Sequence, residues 1–116
     1  MTIREAVETL GCEIACGEQN IDKPLTAAFG ADLMSDVLTY AAEGCLLLTG
    51  MMNTHVLRTA QILDVPCVMF VRGKRPTGEM VELATQMGIT LLCCSSTLYE
   101  ACGKLYARGL KPCRKA

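Results

Sequence analysis

Three short apolar runs set the strongest constraint on this chain: "CLLLTG" from Cys45, "PCVMFVRG" from Pro66 and "TLLCCSS" from Thr90. Each is too short for a helix and ends in turn-forming residues. Continuous rather than alternating hydrophobicity marks a strand covered on both faces, which is how parallel strands inside a sheet read. Five segments around them place apolar residues at helical spacing. These are Ile3/Ala6/Val7/Leu10, Met34/Val37/Leu38/Ala41, Val56/Leu57/Ala60/Leu63, Met80/Leu83/Ala84/Met87 and Leu98/Ala101/Cys102/Leu105. Strand then helix, repeated along the chain, calls for right-handed crossovers. The predicted architecture is a three-layer α/β domain with a mainly parallel sheet flanked by helices. End signals agree: Asn53 caps the helix after Gly50, Pro76 sits in a first helical turn, and Gly88 and Gly109 close the last two helices.

The N-terminal third is less regular. A small helix through Leu10 precedes two extended segments, "EIACG" and "LTAAFG", joined by the polar "EQNIDKP". This part is predicted to add a hairpin or an edge strand to the main sheet. No linker interrupts the chain, so residues 1–116 form a single domain. At that length folding buries roughly two-thirds of the unfolded surface, enough for a real core. About half the residues are apolar and the net charge is −1, which argues against disorder and against a nucleic-acid partner. No apolar stretch reaches the ~18 residues of a membrane span. The start "MTIREAVETL" carries glutamates where an export signal carries a basic start and an apolar run. The expectation is a cytoplasmic protein without membrane contact.

Eight cysteines need a reason in so short a chain. Cys45, Cys67, Cys93 and Cys94 fall inside apolar runs, and no export signal accompanies them, so free thiols packed as small hydrophobes are expected rather than disulfides. Cys12-x-x-x-Cys16 is the one spacing of interest for a metal, yet "GCEIACGE" alternates like a strand and puts both cysteines on one face. No metal ligand set follows from this pattern, and no cofactor is identified.

Catalytic and nucleotide motifs fail residue by residue. "GKRPTGEM" has glycines at P-loop spacing, but Glu79 and Met80 stand where that motif needs Lys and Ser or Thr. No G-x-G-x-x-G follows a strand. The single histidine, His55, sits at a helix start and reads as a solvated helix-end residue rather than a base. What remains is a convergence. Ligands of parallel α/β sheets bind beyond the carboxyl ends of the strands, and those ends carry Thr49, Gly50 and Asn53, then Arg72, Lys74 and Arg75, then Ser95, Ser96 and Thr97. Hydroxyls, an amide, cations and three helix N-termini at one rim suit a phosphate or carboxylate. Each also has a plainer duty available, as a helix cap or a solvated loop residue.

"AFGADLMSDVLTY", "LLLTGMMNTHVLRTAQILDVPCVMFVRGKRP" and "STLYEACGKLYARGL" together resemble the small DRTGG-type domains over nearly the whole chain. Phe70 to Ile89 is similar to a passage of the N-terminal domain of HPr kinase/phosphorylase: strand, Arg-Gly, Pro, helix, Gly-Ile. The namesake Asp-Arg-Thr-Gly-Gly string is absent. The resemblance implies a regulatory or dimer-forming module, since such domains occur beside CBS domains in regulated pyrophosphatases and next to cobyrinic-acid-synthase-like or phosphotransacetylase regions. For short stand-alone members it implies association with iron-hydrogenase and other redox systems. Three readings follow. The first is a non-catalytic domain sensing a nucleotide or other phosphorylated metabolite at the rim. The second is a homodimeric scaffold for a redox partner, with Met51, Met52, Tyr99 and Tyr106 as candidate surface. The third is a metal- or thiol-dependent protein using its cysteines.

Overall fold

The computed structural model describes residues 1–113. Its elements run α1 (Ile3–Leu10), β1 (Glu13–Cys16), a 3-10 turn (Glu18–Asn20), β2 (Ala28–Gly30), α2 (Met34–Tyr40), β3 (Leu46–Thr49), α3 (Thr54–Ile62), β4 (Cys67–Phe70), α4 (Gly78–Met87), β5 (Thr90–Cys93) and α5 (Leu98–Ala107). The five strands form one sheet in the order β1-β5-β4-β3-β2. β2, β3, β4 and β5 are parallel neighbours, and β1 joins β5 antiparallel. The mixed sheet flanked by helices is the predicted α/β fold. No helix of the described residues is long and apolar enough to cross a membrane.

Every residue of β3, β4 and β5 is buried, as their unbroken hydrophobicity requires. Alternate side chains feed two cores. Leu47, Val68, Phe70 and Leu91 meet Val37 of α2, Val56 of α3 and Met80 of α4 on one face. Leu46, Leu48, Met69 and Leu92 meet Ile3 of α1 and Ala101 and Leu105 of α5 on the other. The sheet is therefore the middle of three layers.

The N-terminal segments supply both edges rather than a hairpin. β2 lies beside β3 and β1 beside β5, at opposite sides of the sheet. Cys12 and Cys16 do not share a face. Between Ile14 and Cys16 the register slips, with Ile14 opposite Leu92 and Cys16 opposite Leu91. A bulge of this kind inverts the alternation. Cys12 and Ile14 consequently pack with the α1/α5 core, and Ala15 and Cys16 with the other. Pro76 also differs from expectation: Thr77 is the cap of α4, its Oγ1 accepting from the Met80 amide at 3.2 Å, so Pro76 lies before the cap.

Candidate functional site

The rim begins where β3 ends. Thr49 is fully buried, and its Oγ1 donates to Asp32 Oδ1 at 3.2 Å while accepting from the Met51 amide at 3.1 Å. The Gly50 amide donates to the same Asp32 oxygen at 2.7 Å. Asp32 stands just beyond β2, so its carboxylate ties the ends of two neighbouring strands. The Gly50 carbonyl accepts from Lys74 Nζ at 2.9 Å.

Arg72 closes the arrangement from β4. Its backbone has φ +61°, a left-handed conformation that bulky residues rarely adopt, and Gly73 follows at φ +70°. Two main-chain bonds hold this turn: the Arg72 amide to the Ser96 carbonyl at 2.8 Å, and the Gly73 amide to the Cys94 carbonyl at 2.9 Å. The Arg72 side chain folds over Gly50, so closely that a Cβ there would sit 2.5 to 2.9 Å from three guanidinium atoms. A side chain at position 50 would push the guanidinium aside. Among the described residues no carboxylate forms an ion pair with Arg72 or Lys74, the pairs being Arg4–Asp22, Arg75–Glu13 and Lys104–Glu100.

The predicted rim thus divides. Thr49, Gly50, Arg72 and Lys74 come together. Asn53 caps α3, its Oδ1 accepting from the Val56 amide at 3.2 Å, and Thr97 caps α5 through the Glu100 amide at 3.4 Å. Ser96 supports the Arg72 turn through its carbonyl, while its amide donates to Cys94 Sγ at 3.3 Å. Ser95 lines a separate small depression with Glu13, Arg75 and Cys93. Arg75 leaves the rim to pair with Glu13 at 2.6 Å. Asp32 was not among the predicted residues, although its place after the strand-like "LTAAFG" is the available signal.

Asp32 lowers the positive charge of the rim as well as shaping it. Asp32→Asn keeps an oxygen acceptor for Thr49 and Gly50 and removes the carboxylate bonded to both. Should the rim take an anion, its affinity is expected to rise several-fold in this variant, the order of one unit charge at a partly exposed site. Unchanged or weaker binding of pyrophosphate in a calorimetric titration would place the anion away from Asp32.

All eight cysteines are free thiols, and five of them are buried. Among the described residues no three metal-ligating side chains cluster. Burial pushes the Cys12 and Cys45 thiols up to about 12, with the Cys94 and Cys113 thiols adding to the shift in each case. Cys67 is raised well above its usual range by burial. Such thiols hold their protons more tightly folded than unfolded. The stability this represents is full below about pH 9, where unfolded thiols begin to ionise, and is lost as pH rises through the folded value. The urea midpoint is expected to fall progressively above about pH 9, and Cys45 and Cys67 to escape iodoacetamide in the native state at about pH 8. Labelling of either as fast as in urea would contradict the burial.

The candidate interaction surface is mixed. Tyr99 and Tyr106 are 90% and 68% exposed, Met51 is at the exposed margin, and Met52 packs against the core.

Comparison with protein-family models gives no match, and comparison with curated proteins gives none. Among solved structures, the chain is similar to that of the CBS and DRTGG domains of the regulatory region of Clostridium perfringens pyrophosphatase, complexed with its activator diadenosine tetraphosphate. The TM-score is 0.75 at 19% identity, covering 90% of this chain and 45% of that one. This chain therefore spans less than half the length of its structural neighbour, and what the two share is the fold.

Proposed function

We propose that this chain is a non-catalytic regulatory domain that senses a nucleotide or other phosphorylated metabolite at the carboxyl ends of its strands. The observation that carries the reading is Arg72: a bulky cation held at φ +61°, folded over a glycine, with no carboxylate ion-paired to it among the described residues. Strained backbone of this kind costs on the order of 1–3 kcal/mol and tends to persist where a function uses it. Lys74 reaches the same point, so two cations stand ready for one anion. Thr49 and Asp32 fix the Gly50 turn beneath them. The structural neighbour, a regulatory region with a nucleotide activator, supports the same direction.

The test is titration of pyrophosphate and a panel of phosphorylated metabolites into the protein and into an Arg72→Gly/Lys74→Ala variant. Binding lost in the variant supports the reading. Equal affinity in a variant that remains folded would sink it.

A further inference from the structure

A groove of about 540 Å³ runs along α5 beside the sheet edge at β2. Its floor is made of small residues, Ala28, Gly30 and Cys102, with the rings of Tyr99 and Tyr106 and Pro112 around it. Gly30 keeps the floor low, because a Cβ there would meet Cys102 Sγ at 2.8 Å. The volume falls within the range of small-molecule sites, and the lining is mostly apolar.

The groove and the Arg72 guanidinium occupy the same layer of the molecule. Leu46 and Leu48 point into the α1/α5 core, and Gly50 continues their two-residue series. The guanidinium lying against Gly50 is therefore on the α5 side of the sheet. Gly30 pairs in register with Leu48, so the groove begins one strand across and two residues back from Gly50, roughly 8 Å away. α5 joins the two: the Ser96 carbonyl just before it holds the Arg72 amide, and Tyr99 in its first turn borders the groove.

We propose that the groove takes the planar base of a nucleotide whose phosphates sit at Arg72 and Lys74. This rests on the rim reading and narrows its ligand class. Tyrosine rings offer stacking faces to any base, whereas a mostly apolar lining with charged groups only at Glu100, Lys104 and Lys111 offers the hydroxyls of a sugar phosphate few partners for the water they would lose. The separation between rim and groove is within the span of one nucleoside.

The experiment compares tripolyphosphate, which reports the rim alone, with ATP, GTP, CTP and UTP. In the unaltered protein at least one nucleotide is expected to bind about tenfold or more tighter than tripolyphosphate, the size of one stacked base. Tyr99→Ser/Tyr106→Ser should bring that nucleotide down to the tripolyphosphate level and leave tripolyphosphate itself unchanged. Both tyrosines are exposed, so the variant is expected to fold. Tripolyphosphate binding with no nucleotide preference, or a preference that survives the tyrosine variant, overturns the groove proposal and leaves the rim reading standing. No binding of any of the five overturns both.

Discussion

Gly17→Ala is expected to destabilise the protein by about 2–4 kcal/mol, a large share of the 5–15 kcal/mol of a typical domain. Gly17 follows β1 at φ +83°, where an L side chain is strained. A Cβ there would lie 2.7 Å from the Thr90 Cα and 2.6 Å from its Oγ1. Thr90 begins the buried β5 and cannot yield, because β4 pairs it on the other side. The same clash threatens the bond from Thr90 Oγ1 to the Gly17 carbonyl, 3.0 Å long, which satisfies a buried hydroxyl. Overpacking against backbone and left-handed strain add, so the melting temperature should fall by roughly 10 °C or more. A fall of only a degree or two would mean that β1 shifts freely on β5, against the bulged register described above.

Arg72→Gly/Lys74→Ala is expected to lower anion affinity about a hundredfold or more, since two charge-assisted contacts are lost together. Its effect on stability should be small. Glycine accepts φ +61° without strain, which offsets its greater freedom in the unfolded chain, and Lys74 gives up one partly exposed bond to the Gly50 carbonyl. A residue kept for folding would show the opposite pattern, with stability lost and binding following it. The separation of the two effects, read by denaturant unfolding and titration calorimetry on the same sample, distinguishes a binding arginine from a structural one.

The central strands were legible because burial on both faces leaves an unbroken apolar run, and the helices because their apolar positions recur at helical spacing. The edge strands carried less. β2 has three residues and β1 four, neither is fully covered, and their placement depends on partners distant in sequence. The bulge that separates Cys12 from Cys16 arises from that pairing, so strict alternation misplaced them. Half of the rim was legible for a related reason. Strand ends can be counted along a sequence, which located Thr49, Gly50, Arg72 and Lys74. Asp32 joins them only because β2 lies beside β3, and the left-handed turn at Arg72 has no signature beyond the glycine after it. Asn53 and Thr97 matched cap and ligand roles alike, and their bonds to Val56 and Glu100 show the cap role.

The most direct measurement of the central claim is a backbone amide NMR titration of the isotopically labelled protein with ATP and tripolyphosphate. The account predicts saturable shifts at Gly50, Met51, Arg72, Gly73 and Lys74 with both ligands. Shifts confined to other parts of the molecule, or none at ligand concentrations in large excess, would contradict a phosphate-sensing rim at the ends of these strands.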